Sequence, residues 1–244
     1  MIPKVIHYCW FGRNPMPKKF KKYISSWYKF CPDYEIKLWN EDNYDVNKNS
    51  FISEAYKQKK WAFVTDYVRL DVVEQFGGIY LDTDVELLKP LDSLLCYKGF
   101  AGFECSDYVN FGLGYGAEPH NPFVKVIRDF YHNLEFNKES TKQHTGPIIQ
   151  TNILSKRGLN INRYIEQEID GFHIFPTEYF CPMNYNQIYD FLTDKTYSVH
   201  HFSATWYDKQ EYKKFKRNSR RIRRIYYIKK TIKKVLSFFH LYNK

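Results

Sequence analysis

The sequence predicts an α/β protein: one domain with a mixed, mainly parallel sheet flanked by helices, followed by a basic helical tail. Three observations support this prediction. Apolar runs of strand length alternate with segments of helical periodicity along residues 1–207. The pair Gly77-Gly78 stands where one of these helices has to end and a buried strand begin. Positive charge is concentrated in residues 208–244, where apolar residues recur every three or four positions.

The predicted elements follow one another at short intervals. In the first half they are strands at 5–10, 34–39 and 79–81 and helices at 17–30, near 51–59 and at 61–76. In the second half they are strands at 100–104, 110–116 and 198–201 and helices at 122–134 and 148–154, the last one opened by Gly146-Pro147. Ligands of such sheets bind beyond the carboxyl ends of the strands, so we expect the functional residues at that edge.

The most informative segment follows the 79–81 strand, where Asp82 and Asp84 are separated by one residue. Residues i and i+2 of a strand point to the same face, so both carboxylates are expected to converge where the strand leaves the sheet. Two hard oxygen ligands suit Mg²⁺ or Mn²⁺, which complete their shell with water and phosphate oxygens. An isolated Asp-x-Asp is also compatible with a polar turn, but the preceding helix and glycine pair favour the metal site.

These motifs resemble a known family. The set Thr65-Asp66, Arg69 and Gly77-Gly78-Ile79-Tyr80-Leu81-Asp82-Thr83-Asp84 resembles the sugar-nucleotide-binding region of DXD glycosyltransferases related to glycosyltransferase family 32. Residues 2–12 resemble the opening strand and loop of that family, and residues 200–206 resemble its closing His…Ser-Trp motif, with Thr205 where serine is usual. The resemblance spans roughly residues 1–207 and implies the GT-A fold, a divalent metal and transfer of a hexose from a nucleotide sugar with retention of configuration.

The resemblance also implies the metal ligands. Asp82 and Asp84 are the expected carboxylates, and Asp82 is also expected near the ribose or the sugar. A third ligand is expected from His200 or His201; neighbouring residues of a strand face opposite ways, and the family spacing favours His200. An imidazole ligand favours Mn²⁺ over Mg²⁺.

The donor is expected to contact residues from several segments. Asp66 would accept hydrogen bonds from the sugar, and Arg69 would lie near the sugar or diphosphate, although the two are also compatible with a weak local ion pair on a helix. Trp10 would stack on the nucleotide base or, alternatively, lie in the core. The expected catalytic residues are Asp66, Arg69, Asp82 and Asp84, and the other expected substrate-binding residues are Phe11, Tyr80, Ser203, Thr205 and Trp206. No nucleophile stands out among Asp107, Glu118 and Asp129.

Composition predicts a cytoplasmic domain. Apolar residues make up 43% of the 244 residues, which is enough for a core, and no apolar run is long enough to span a membrane. The first residues do not have the pattern of a secretory signal. The five cysteines are scattered and form no C-x-x-C pair, so they are interpreted as reduced thiols rather than as a zinc site.

The tail predicts a membrane partner. Residues 209–244 carry 14 Lys and Arg and one acid, Glu211. On a helix, one apolar stripe forms opposite most of the charge; its members are Ile222, Ile225, Ile228, Ile232, Val235, Leu236 and Phe239. Such a helix suits an anionic membrane surface. The alternatives are a helix packed on its own domain and a nucleic-acid-binding segment, and we expect no nucleic-acid partner because no recognition fold accompanies the charge.

The sequence therefore predicts a metal-dependent glycosyltransferase at the inner face of a cell membrane, acting in the synthesis of capsule, lipopolysaccharide or another surface polysaccharide. A UDP-hexose is the favoured donor over GDP-mannose, and a glycan or lipid-linked oligosaccharide is the expected acceptor. Two alternatives stay open: a non-catalytic module that binds sugar nucleotides or glycans, and a nucleotide-sugar hydrolase, which would usually need two metals.

Overall fold

The computed structural model describes residues 1–137, 144–203 and 209–242. Its strands are β1 (Val5–Cys9), β2 (Glu35–Trp39), β3 (Gly78–Tyr80), β4 (Val85–Leu87), β5 (Gly99–Gly102), β6 (Tyr115–Ala117), β7 (Gln167–Ile169), β8 (Phe172–Phe175) and β9 (Ser198–His200). Its α-helices are α1 (Lys18–Phe30), α2 (Ser50–Lys57), α3 (Trp61–Phe76), α4 (Pro122–Phe130), α5 (Gly146–Ser155), α6 (Thr177–Phe180) and α7 (Lys209–Tyr242).

Seven strands form one mixed sheet in the order β2-β1-β3-β6-β5-β8-β7. Strand β1 is parallel to β2 and β3, and β5 is parallel to β8, whereas β6 is antiparallel to both of its neighbours and β7 is antiparallel to β8. The two remaining strands, β4 and β9, form a separate antiparallel ribbon. The predicted mixed sheet with flanking helices is thereby confirmed.

Each face of the sheet has its own apolar core. One core packs α2, α3, α4 and α5 against the sheet, and the other packs α1, the ribbon and α6. Strand β3 contributes to both because its side chains alternate: Ile79 lies in the second core and Tyr80 in the first. The buried Trp27 of α1 also donates from its indole nitrogen to the carbonyl of Val85, 2.9 Å away, which fixes the ribbon to this helix.

Helix α3 runs back along the sheet into β3. It ends as predicted at Gly77, whose amide donates to the carbonyl of Val73, and both Gly77 (φ 65°) and Gly78 (φ 103°) have left-handed backbone conformations that suit glycine. Because the helix and the strand are antiparallel neighbours, the first turns of α3 lie at the edge where β3 ends. This connection brings residues 65–69 next to residues 82–84.

One predicted strand is mostly a loop. The amide of Asn110 still donates to the carbonyl of Gly102 at the end of β5 (3.1 Å), but the sequence is assigned to a strand only at Tyr115–Ala117, which form β6. The reason is tertiary: the amides of Val109 and Phe111 donate to the side chains of Thr151 and Gln150 of α5, each at 2.9 Å. The amides of Val109 and Phe111 therefore bond to side chains of a helix rather than to a neighbouring strand.

The predicted C-terminal helix is confirmed as α7. Ser219 and Arg223 hold it to the domain by hydrogen bonds to the carbonyl of Tyr185 (3.3 Å) and the side chain of Gln187 (2.6 Å). The described members of the predicted apolar stripe are exposed; these are Ile222, Ile225, Ile228, Ile232 and Val235. In the described part of the chain, neither α7 nor any other helix has the length and apolar character needed to cross a bilayer.

Candidate active site

Two carboxylates and an imidazole meet at the carboxyl edge of the sheet. One ligand atom from each of Asp82, Asp84 and His200 lies within 4.8 Å of those of the other two. The Nε2 atom of His200 is 3.1 Å from Oδ1 of Asp84 and 4.0 Å from Oδ2 of Asp82. Among the described residues this is the one group of three or more candidate metal ligands.

A turn, rather than a strand, produces this convergence. Strand β3 ends at Tyr80 and β4 begins at Val85, and the amide of Val85 closes the turn on the carbonyl of Asp82 at 2.9 Å. The expectation that the carboxylates would meet because they alternate along a strand is wrong in its mechanism, because Asp82 and Asp84 lie between two sheets. Strand β9 then delivers His200, which pairs with Val85 across the ribbon.

The cluster is electrostatically coupled. Burial alone would raise the pKa of the Asp84 carboxyl, but the adjacent His200 and the amide of Ser203, 2.7 Å from Oδ2, hold that pKa well below its usual range. Burial alone would lower the pKa of His200, but Asp84 and Asp82 raise it. Burial raises the pKa of Asp82 against the opposing effect of Arg69. Asp84 is thus the carboxylate of the site whose charged form is favoured by its surroundings.

Asp66 and Arg69 form a buried brace beside the cluster. The Nη2 atom of Arg69 is 3.3 Å from Oδ1 of Asp66 and 3.1 Å from Oδ1 of Asp82, so one guanidinium joins α3 to the turn after β3. The Nε atom donates to the carbonyl of Thr65 at 3.1 Å, and the guanidinium lies 4.9 Å from the ring centre of Tyr80. The interpretation as a weak, local surface pair is excluded by burial and by the bond to Asp82.

Two glycines allow this close packing. A Cβ atom on Gly112 would collide with the Asp82 carboxylate and the Arg69 guanidinium, and one on Gly146 would lie 2.8 Å from Oδ1 of Asp66. The amide of Gly146, at the start of α5, donates to Oδ2 of Asp66 at 3.1 Å. Burial raises the pKa of the Asp66 carboxyl, and Arg69 opposes that rise.

The predicted substrate-binding aromatics lie in different environments. Trp10 follows β1 at the same edge of the sheet and is half-buried, with its indole nitrogen 2.6 Å from the carbonyl of Asn14. Tyr80 is buried and donates to Oδ1 of Asp82 at 3.0 Å. Phe11 does not line the cleft as expected: it is buried in the α2–α3 core, edge-on to Tyr44, because its side chain points to the opposite face from that of Trp10.

The closing segment is divided between two roles. Only one of the adjacent histidines joins the cluster: His201 points away, bonds to Glu86 at 2.8 Å and stacks on Tyr23 with 4.2 Å between ring centres. Ser203 contributes its amide to Asp84. Thr205 and Trp206, both expected to bind substrate, lie outside the described residues.

A further carboxylate at the site was not found from the sequence. Glu104 is buried behind the 110–112 loop and accepts hydrogen bonds from Asn110 (2.9 Å), Tyr185 (2.6 Å) and Ser106. No motif marks it, because its partners come from segments far apart in the sequence.

The residues fit a divalent cation. Asp82, Asp84 and His200 offer two hard oxygens and one nitrogen within reach of a common point, which is a ligand set for Mn²⁺ or Mg²⁺ with positions left for water or phosphate oxygens. The fold and this site together define an α/β domain with a candidate metal site at the sheet edge.

Comparisons with known proteins specify that class. Residues 17–101 match the family described as glycosyltransferase sugar-binding region containing DXD motif. These residues include Asp66, Arg69, Asp82 and Asp84, whereas the opening segment and the closing His200 segment lie outside the match. The predicted resemblance to DXD-motif glycosyltransferases is therefore confirmed.

Two curated relatives are from Schizosaccharomyces pombe. Inositol phosphoceramide mannosyltransferase 3 is 30% identical over 169 residues, which cover 63% of this chain and 45% of the relative. Inositol phosphoceramide mannosyltransferase 2 is 30% identical over 149 residues, which cover 57% of this chain and 40% of the relative. The chain thus spans less than half the length of these two relatives.

A solved structure supports the fold. The structure titled PaToxG Glycosyltransferase superposes with a TM-score of 0.51 at 22% identity, over 64% of this chain and 69% of that chain. At this identity the similarity shows the fold, and it agrees with the GT-A-type arrangement of sheet and helices described above.

Proposed function

We propose that this protein is a metal-dependent glycosyltransferase that moves a hexose from a nucleotide sugar to a hydroxyl of a glycan or lipid-linked acceptor. The observation that carries this proposal is the Asp82–Asp84–His200 cluster next to the Asp66–Arg69 brace, most of it within the matched sugar-binding region. A bound divalent cation would supply charge stabilisation for the departing diphosphate.

Each residue of the site has a part in this reaction. Asp82, Asp84 and His200 hold the cation. Asp66 pairs with Arg69 through Oδ1 and accepts a hydrogen bond from Gly146 at Oδ2. Because a carboxylate has about four acceptor positions, it retains capacity for sugar hydroxyls. Arg69 contacts both carboxylates and so holds Asp66 and Asp82 in fixed positions relative to each other. We assign Trp10 to stacking on the base, and Ser203, Thr205 and Trp206 to the diphosphate.

The transfer needs no covalent enzyme intermediate. The bond between the anomeric carbon and the diphosphate oxygen breaks, and its electron pair leaves with the diphosphate. The acceptor oxygen forms the new bond from the same face, and its proton passes to the departing phosphate oxygen, which gives retention of configuration.

A screen of nucleotide sugars tests which donor the protein binds. The sequence favours a UDP-hexose, whereas the names of the two relatives favour mannose. Thermal unfolding is measured with UDP-Glc, UDP-Gal, their N-acetylated forms and GDP-Man, each with and without Mn²⁺. We expect one donor to raise the midpoint by several degrees only when Mn²⁺ is present, and this shift to be lost in Asp84→Asn.

The matched control is Asp71→Asn. Asp71 is an equally buried carboxylate on α3 that bonds to Tyr44 and Lys48, away from the cluster. This variant should lose stability but keep the donor shift. Absence of any Mn²⁺-dependent shift would contradict the proposal, and release of free sugar at the rate of donor consumption in the presence of candidate acceptors would favour the hydrolase alternative.

The tail is proposed to bind the anionic inner face of a cell membrane, where a lipid-linked acceptor of surface-polysaccharide synthesis would be available. Its apolar stripe is exposed rather than packed on the domain, which disfavours the interpretation of α7 as an ordinary packed helix. Basic residues next to that stripe, such as Arg220 and Arg224, supply attraction to anionic headgroups.

Vesicle flotation tests this surface. The double variant Ile225→Glu/Ile228→Glu should reduce recovery with phosphatidylserine-containing vesicles, and Val126→Glu, at an exposed apolar residue of α4, should not. Equal recovery of the double variant and the unaltered protein would contradict membrane binding through this stripe.

A further inference from the structure

Glu104 connects the two sides of the proposed metal site. It follows β5 and is buried, and its carboxylate accepts three hydrogen bonds, from the Asn110 amide, the Tyr185 hydroxyl and the Ser106 hydroxyl. Its backbone is also fixed, with the amide donating to Tyr108 and the carbonyl accepting from Thr177. A carboxylate held in this way has one orientation.

One set of contacts leads from Glu104 to Asp82. The Nδ2 atom of Asn110 donates to Oε2 of Glu104 at 2.9 Å, and its Oδ1 atom accepts from the amide of Gly112 at 2.7 Å. The carbonyl of Gly112 in turn accepts from the amide of Asp82 at 3.3 Å. The tight approach of Gly112 to the Asp82 carboxylate means that a shift of this loop would displace the ligand.

A second set of contacts leads from Glu104 to His200. The Tyr185 hydroxyl donates to Oε1 of Glu104 at 2.6 Å, and its ring packs on Phe202 with 4.3 Å between centres. Phe202 meets the His200 imidazole edge-on at 4.4 Å. Phe202 also has a left-handed backbone conformation (φ 45°), which a bulky residue rarely adopts without surrounding support.

We infer that Glu104 is a positioning residue that sets the distance between Asp82 and His200, and thereby the affinity of the site for a divalent cation. This inference rests on the proposed metal-dependent function. Glu104 is not assigned contact with the substrate: it acts through the Asn110–Gly112 loop on one side and through Tyr185 and Phe202 on the other.

The inference requires a carboxylate at position 104. All three partners donate to it, and the Asn110 amide cannot reverse because its oxygen is bonded to Gly112. A glutamine can turn its oxygen to Asn110, but its NH₂ group then faces the two hydroxyls, which have to accept instead of donating to a charged carboxylate. Glu104→Gln therefore replaces charge-assisted hydrogen bonds with weaker ones while it keeps the shape of the side chain.

The test measures Mn²⁺ affinity directly, from the electron paramagnetic resonance signal of free Mn²⁺, together with kcat and the donor KM. Groups that bond directly to metal ligands typically change affinity about 10- to 100-fold. Because Glu104 acts through intervening residues, Glu104→Gln should weaken Mn²⁺ binding by about 10-fold, the low end of that range. Tyr185→Phe keeps the ring against Phe202 but loses the bond to Glu104, and should weaken binding less. Both should lower kcat at subsaturating Mn²⁺, with recovery at high Mn²⁺.

The matched control is Tyr179→Phe. Tyr179 is another half-buried tyrosine that donates to a glutamate, Glu166, but it is not in contact with the cluster. It should bind Mn²⁺ as the unaltered protein does. If Tyr185→Phe also matches the unaltered protein, the inference is overturned, even where Glu104→Gln does not fold. An unaltered protein that binds no Mn²⁺ would overturn the proposed function as well, so the two failures are distinguishable.

Discussion

The cleft and the C-terminal helix reverse the usual distribution of side chains. In the cleft, charged groups are buried: Asp84 is 8% exposed, and Arg69 and His200 are each 4% exposed. In α7, branched apolar groups are in contact with solvent, and Ile228 is 59% exposed. Burying charge requires partners from many parts of the chain, whereas an exposed helix needs only a local pattern. The cleft therefore depends on the whole fold, and the helix does not.

The sharpest test of this contrast removes the charge that holds the cleft together. Arg69→Met would leave Asp66 and Asp82 buried without their common partner, and breaking a buried pair in this way costs about 3–5 kcal/mol. We expect the free energy of unfolding in urea to fall by that amount. Arg157→Met, which breaks the exposed pair with Asp170, should change it by about 1 kcal/mol or less.

The same substitution in the apolar core of the domain and on the tail should have different effects. Ile127 of α4 is fully buried, so Ile127→Ala should lower the free energy of unfolding by about 2–5 kcal/mol. Ile228→Ala on the exposed stripe should change it by about 0.5 kcal/mol or less, since no packing is lost. A large effect of Ile228→Ala in urea denaturation would show that α7 packs on the domain.

A buried histidine should make the domain, but not the tail, sensitive to acid. Burial lowers the pKa of His7 to about 4, although its bond to the carbonyl of Gly77 opposes the shift. Its folded pKa lies below the usual unfolded value of about 6.5, so the unfolded chain binds the proton more readily. The stabilisation from neutral His7 is complete above pH 6.5 and is lost as the pH falls towards 4, by about 3 kcal/mol in total.

Denaturation at a series of pH values measures this effect. His7→Gln should be less stable at neutral pH, because the bond from the Trp39 indole (3.1 Å) is disturbed, but should show a flatter profile between pH 6.5 and 4. His120→Gln, at a largely exposed histidine, should keep the slope of the unaltered protein. If the free energy of unfolding of His7→Gln falls with pH as steeply as that of the unaltered protein, His7 is not the origin of the acid sensitivity.

The smallest expected effect concerns a single charge on the tail. A basic residue near an anionic surface contributes about 1 kcal/mol, so Arg224→Gln should weaken binding to phosphatidylserine vesicles about fivefold. Raising the salt concentration should remove most of the difference. Lys57→Gln, at an exposed charge on α2, should have no effect on vesicle binding.

The two regions also differ in how much the sequence reveals. Helix α7 and its stripe could be predicted from the spacing of apolar residues alone. Helix α3 has the predicted bounds, and its helical pattern ends at Gly77. The Asp82–Asp84 pair could be recognised from its motif. For the third ligand the sequence left two neighbouring candidates, His200 and His201, and the family spacing favoured His200. The pairing of β4 with β9 brings His200 to the two carboxylates.

What the sequence does not reveal is determined by contacts between distant segments. The 110–114 loop has the composition of a strand but bonds to Gln150 and Thr151, and no periodicity shows that those side chains replace a neighbouring strand. Phe11 was expected in the cleft, and its core position follows from the direction of a single side chain after β1. Strands β7 and β8 and helix α6 were not predicted, because short elements carry too few residues for a pattern.

The turn between the large sheet and the β4–β9 ribbon gives the metal site a mechanical consequence. Asp82 follows β3 of the seven-stranded sheet, and His200 is the last residue of β9 in the ribbon. An ion held by both would close a loop that contains most of the second half of the domain. A ligand that binds only the folded state stabilises it, and the stabilisation increases with the ligand concentration relative to its Kd. The cation would then be a reversible cross-link of the fold as well as a part of its chemistry.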